Sequence, residues 1–159
     1  MIRPRSLLLD TNIWLDYFLG TGSSIDAISQ IVESGASGSV SLLFAPTSAK
    51  DLFYILPRRL RRASGGASPG CGEDASYRAV AWACVERMME LAAAAPLSHA
   101  ECQLARMLGD ELADFEDDLI VAAAETANAD LIVTNDRAFL RSMPEACVTP
   151  ERACRLLER

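Results

Sequence analysis

The stretch SLLLDTNIWLDYFLG, residues 6–20, decides how the chain is read. The apolar run from Ser6 to Leu9 is too short for a helix and stops on an acid, Asp10. A helical pattern follows at once, from about Thr11 to Leu19, and Gly20 closes it. A short apolar run bounded in this way is a buried strand feeding a helix. The arrangement returns far along the chain in LIVTND, residues 131–136, where Leu131 to Val133 read as a strand followed by Thr134, Asn135 and Asp136. If these two strands are parallel neighbours, Asp10 and Asp136 meet at one edge of a sheet.

Working outward, Ser23 with Asp26 marks a helix start, and that helix is expected to run to about Ser34, before Gly35. Val40 to Phe44 is a second strand. Pro46 and Thr47 open a helix that carries Asp51, Phe53, Tyr54 and Leu56, and Pro57 is expected to kink it or lie near its end. Residues 58–74, RRLRRASGGASPGCGED, are basic and then rich in Gly and Ser, which predicts a mobile loop. A long helix from about Ala75 to Ala94 follows, ended by Pro96. Ser98 and Glu101 form a capping box for a helix that stops at Gly109. Residues from Asp114 on open another helix, to about Asn128. After the strand at 131–133 come a short helix, a brief strand near Cys147 and a helix start at Thr149-Pro150. Strands separated by helices predict a mostly parallel central sheet covered on both faces. The length, 159 residues, suits one domain spanning 1–159. In such sheets ligands bind beyond the carboxyl ends of the strands.

Composition narrows the function classes. The formal charge is −7 and the sequence pI about 4.7, an unfavourable balance for binding phosphate backbones. No apolar stretch approaches the roughly 20 residues of a membrane span, and the apolar start is too short for a signal peptide. Cys71, Cys84, Cys102, Cys147 and Cys154 are odd in number and include no CxxC pair. That favours reduced thiols in a cytoplasm over a zinc site or disulfide framework.

The densest chemistry lies in ADFEDDLIVAAAET, residues 113–126. Asp114, Glu116, Asp117 and Asp118 precede an apolar run, more acid than a helix start needs. Asp114 and Asp117, three apart, share a face, and the first turn of a helix steadies carboxylates. Phe115, Leu119, Ala122 and Thr126 are expected to form a separate buried stripe, with Glu116 and Asp118 facing solvent. Carboxylates that converge without a cation repel, and at least one resists ionising. A hard divalent ion relieves that conflict, and an oxygen-only set without His or Cys suits Mg²⁺ or Mn²⁺. Such an ion activates water and stabilises charge on a phosphoryl group. It also inverts the local field of an acidic site, while Arg58, Arg59, Arg61 and Arg62 offer a phosphate-binding patch.

Each residue also has a local reading. Asp10 can be a turn residue or helix cap, Asp114 an N-cap, Asp136 the cap of the short helix after it, and the arginine run a solvated helix end favoured by the dipole. Asp16 and Glu125 read as surface charges, Asp16 close enough to Asp10 to support it. His99 reads as an early helix residue, Met88 and Met89 as core filler. What singles out the acids is their joint placement at strand ends and a helix start. A phosphoacceptor reading lacks a lysine after a late strand, because the only lysine is Lys50. An Asp-x-Asp phosphatase has Asn12 where its second Asp belongs.

LLLDTNIWLDYF, PTSAKDLFYIL, DFEDDLIVAAAE and LIVTNDRAF, in that order, resemble the PIN-domain family, in particular its VapC-type toxin nucleases. The resemblance covers about Ser6 to Pro150. It implies a three-layer α/β/α fold, Mg²⁺ or Mn²⁺, and hydrolysis of RNA phosphodiesters. It further implies the role of toxin in a type II toxin–antitoxin pair, with a homodimer and an inhibitory antitoxin as partners. The family's acids match Asp10, Asp51, Asp117 and Asp136, with Asp114 as auxiliary. At Asp51 the commonest pattern has Glu. Asp is one methylene shorter, which favours a water-bridged role there. Thr11 and Thr134 fall where the family places hydroxyls that brace the site. The alternative is a non-catalytic PIN scaffold that only binds partners.

Overall fold

The computed structural model describes residues 3–63, 65, 71–109 and 114–158, with the backbone alone for 71–74. Its centre is a five-stranded parallel sheet in the order β3-β2-β1-β4-β5, made of β1 (Ser6–Leu9), β2 (Ser41–Phe44), β3 (Ala93–Ala94), β4 (Leu131–Val133) and β5 (Cys147–Val148). The helices are α1 (Thr11–Leu19), α2 (Ile25–Ala36), α3 (Pro46–Ala63), α4 (Cys71–Leu91), α5 (His99–Leu108), α6 (Phe115–Thr126), α7 (Arg137–Ser142) and α8 (Pro150–Leu157).

Alternation along each strand distributes the core to the two faces of the sheet. Leu7 and Leu9, Leu42 and Phe44, Val133 and Val148 point to a cluster completed by Trp14, Ile28, Ile31, Leu52, Leu56 and Met88. Leu8, Ile132 and Cys147 point the other way, to Ile120, Val121, Ala123, Ala124 and Phe139. A layer of helices therefore covers each face, as a parallel sheet requires. The expected three-layer α/β/α architecture is present.

Several boundaries differ from expectation, each for a packing reason. Helix α2 runs through Gly35, because a Cβ there would run into the side chain of Leu42 and glycine lets helix and strand close up. Its N-cap is Ser24, with no side-chain cap bond. Helix α3 passes through Pro57 and takes in Arg58, Arg59, Arg61 and Arg62, so the first part of the expected loop is helical. Burial of Leu56, with Leu60 packed against the same cluster, holds the turn that proline weakens. At the loop's other end, residues 71–74 already belong to α4; residues 64 and 66–70 lie outside the described residues. Helix α4 ends at Leu91, because Ala93 and Ala94 pair with Leu43 and Phe44 as an edge strand. Met88 is core, whereas Met89 is 54% exposed. The capping box of Ser98 and Glu101 forms as expected.

Candidate active site at the carboxyl edge of the sheet

Strand register builds the site. Leu9 is the partner of Phe44 on one side and of Val133 on the other. The next residues, Asp10 and Thr134, therefore emerge side by side, and the Asp10 amide donates to the Val133 carbonyl at 3.0 Å. Asp10 serves as N-cap of α1, with its Oδ1 accepting from the Thr11 amide at 2.6 Å. Its Oδ2 accepts from the Thr134 hydroxyl at 2.6 Å and from Asn12 Nδ2 at 2.5 Å. The carboxylate is thus buried, 5% exposed, and fixed by three donors. Burial raises its pKa, the bonds from Thr134, Thr11 and Asn12 oppose that, and the charge of Asp136 adds to the rise.

Asp136 follows Thr134 by two residues and caps α7, its Oδ1 accepting from the amides of Ala138 and Phe139. Its own amide donates to the Thr134 hydroxyl at 3.0 Å. Asn12 and Asn135 lace the two strand ends together through the Asn135 amide and Asn12 Oδ1, 3.0 Å apart. Asn135 Nδ2 also donates to Asp16 at 3.1 Å. Asp16 thus lies in the surrounding network. Of the two hydroxyls expected to brace the site, Thr134 meets Asp10 directly, while the Thr11 hydroxyl turns to Ser48 at 2.8 Å.

Helix α6 brings in the acidic cluster. Asp114 is its N-cap and accepts from the Glu116 amide at 2.9 Å. Asp117 is half-buried, and burial first, then the charges of Asp10, Asp114, Asp136 and Asp118, push its pKa to about 6. Asp114, Asp117, Asp10 and Asp136 thus share one electrostatic neighbourhood. The stripe expected of Phe115 and Thr126 is not buried: both are exposed, Phe115 at 58%. The helix turns an almost continuous run, Ile120 to Ala124, inward, because it lies between the sheet and α5.

Of the two acids expected to face solvent, Glu116 is exposed and Asp118 is not. Asp118 is 3% exposed, and burial raises its pKa. Glu116 is exposed overall, but its carboxyl meets that of Asp51 on α3, and its pKa is pushed to about 7. Burial is the largest cause; the bond to Asp51 and that residue's charge come next, and Lys50 opposes them. Asp51 pairs with Lys50 through Oδ1 at 2.9 Å. Its buried Oδ2 has no donor among the described residues unless Glu116 carries a proton. Only its place beside Asp117 at a helix start hinted at this role for Glu116, because the register of α6 against α3 is set by packing.

Chemically, the group is a set of oxygen donors, and the charged influences on Asp117 are all acidic. Among the described residues no three such side chains stand within the reach of one ion. The donor chemistry and the unrelieved repulsion nevertheless suit a hard divalent cation and no soft one. Cys147 lies close enough to feel Asp10 and Asp117, and burial with those charges drives its thiol to about 12, far from a thiolate ligand.

A family model for the PIN domain matches residues 6–138, a span that takes in Asp10, Asp51, Asp117 and Asp136. The chain belongs to the PIN-domain family, whose members are generally nucleases that act on nucleic acid with divalent metal ions. No curated protein matches the chain. No helix among the described residues is long and apolar enough to cross a membrane.

Proposed function

We propose that the protein is a Mg²⁺- or Mn²⁺-dependent endoribonuclease, with Asp10, Asp117 and Asp136 holding the ion and Asp51 and Asp114 assisting. The observation that carries this reading is the Asp10–Thr134 pair at the carboxyl edge of the sheet, with Asp117 near enough that its own burial and then the charges of Asp10, Asp114, Asp136 and Asp118 raise its pKa. A divalent ion bound there supplies Lewis-acid activation of water and neutralises charge at the phosphate. The chain's own part is positional. Thr134 and Asn12 hold one oxygen of Asp10 and the Thr11 amide holds the other, so the carboxylate keeps one orientation. The α6 N-terminus holds Asp114 as its cap, through the Glu116 amide, and presents Asp117 in its first turn. Glu116 and Asp51 form a second carboxyl pair that can hold a proton near neutral pH. His99 lies at the start of α5, bonded to Gln103, and Lys50 is engaged by Asp51, which leaves the acids as the groups that handle water.

We extend the proposal to a toxin of a type II toxin–antitoxin pair, acting in the cytoplasm as a homodimer and restrained by an antitoxin protein. Family membership and the retained acids support it. The test is cleavage of a mixed RNA pool with Mn²⁺. Wild type should cut, EDTA should stop it, and Asp10→Asn and Asp117→Asn should be inactive; equal cutting by all three would end the reading. Induced expression in bacteria should arrest growth with wild type and not with Asp10→Asn. The rival, a scaffold without catalysis, draws on Asp51 in the position where Glu is commonest. Calorimetry separates the two, since a scaffold takes up no Mn²⁺ at these acids.

A further inference from the structure

Helices α3 and α4 enclose a groove of about 400 Å³ lined by Phe53, Tyr54, Pro57, Arg58, Arg61 and Arg78. In a chain with 22 acidic and 15 basic side chains, this is a local concentration of guanidiniums. Aromatic rings stand with them: Tyr54 is 58% exposed and Trp82 52%. Phe53 lies between them, with ring centroids 5.1 Å from Tyr54 and 4.8 Å from Trp82. The expected four-arginine patch is thereby divided. Arg59 turns to Asp16 at 4.0 Å, while Arg58 and Arg61 join Arg78 of the other helix. On α3, Asp51, Tyr54 and Arg58 are spaced three and four apart and share a face. Asp51 and Arg58 are separated by about 10 Å along the axis at 1.5 Å per residue. The groove thus continues the stripe that begins at the acidic cluster.

We propose that this groove binds single-stranded RNA beside the cleavage position, Tyr54 stacking on a base while Arg58 and Arg78 meet the flanking phosphates. Exposed rings interleaved with guanidiniums are what a single strand needs: a stacking platform with cations along its backbone. The inference rests on the nuclease reading and deepens it, since it supplies the positive surface that the overall charge denies. It favours unpaired RNA because a base inside a duplex presents no face to Tyr54.

The test separates binding from cleavage. A fluorescently labelled, unstructured RNA oligonucleotide is titrated with full-length protein in EDTA, and anisotropy is read over a range of salt. Tyr54→Ala should weaken binding roughly tenfold. Arg58→Ala and Arg78→Ala should each weaken it and lower the slope of log Kd against log salt by about 1. Arg155→Ala, which removes an exposed charge from α8, should leave the slope unchanged. A duplex of the same sequence should be insensitive to Tyr54→Ala. The proposal is overturned if the groove variants bind like wild type, if Arg155→Ala has an equal effect, or if those variants change only the oligomeric state in sedimentation. That last result would assign the groove to a protein partner. Because no cation is present, a wild type that binds through the groove but never cuts RNA with Mn²⁺ would sink the nuclease reading alone.

Discussion

At the residue scale, Asp10 and the hydroxyl that holds it anchor the candidate site. Thr134 is fully buried; it donates to Asp10 and accepts from Asn12 Nδ2 and the Asp136 amide. Thr134→Val keeps the shape and removes the donor, leaving buried polar groups short of a partner. It should cost about 1–3 kcal/mol in denaturant unfolding and lower activity or metal affinity roughly 10- to 100-fold, while Thr134→Ser should recover most of both. Normal Mn²⁺ affinity in Thr134→Val would show that Asp10 needs no such support. The nearness of Asp10, Asp117 and Asp136 was legible in the sequence because strand ends and helix starts are local signals. Glu116 was not. Its meeting with Asp51 depends on how α6 lies against α3, and no local pattern specifies that.

At the element scale, close packing of α2 on the sheet makes Gly35 informative. In an exposed helix interior, alanine would gain about 0.5–1 kcal/mol over glycine. Here its methyl meets Leu42, so Gly35→Ala should destabilise by about 1–3 kcal/mol, read as a lower denaturant midpoint. Trimming the obstacle, as in Gly35→Ala with Leu42→Ala, should give a double-mutant cycle that departs from additivity. Two single effects that simply add would show that helix and strand are not in contact. The same packing explains where sequence signals misled. Gly35 marks a close approach inside α2, and Pro57 lies within α3 because Leu56 and Leu60 anchor the turns around it. The β3 strand consists of two alanines, too short for periodicity to reveal; only pairing with β2 defines it.

At the scale of the whole molecule, the parallel sheet and its order make one acidic edge from distant segments, and that edge sets the pH response. Folded Glu116 titrates at about 7 and Asp117 at about 6, both above the unfolded values of about 4. The stability these groups contribute is fully present below the unfolded values and is lost as pH rises through the folded ones. Asp130 and Glu151 are shifted the opposite way, Asp130 by amide bonds from Arg5 and Ser6 that outweigh its burial, and Glu151 chiefly by its bond to Ser24. Their contribution is lost only as pH falls through those lowered values. Metal-free protein should therefore lose Tm between about pH 5 and 8, Glu116→Gln and Asp117→Asn should flatten that slope, and Mn²⁺ should restore Tm at the alkaline end. A metal-free Tm that rises over this range would contradict the electrostatics. The overall architecture was legible because alternating strands and helices leave few topologies, and two strands ending in acids needed only adjacency to form a site. The most direct measurement is a crystal structure of the protein soaked in Mn²⁺, with data collected for anomalous scattering. A peak bounded by Asp10, Asp117 and Asp136 is expected; no peak there at saturating Mn²⁺, with those carboxylates well ordered, would overturn the proposed metal site.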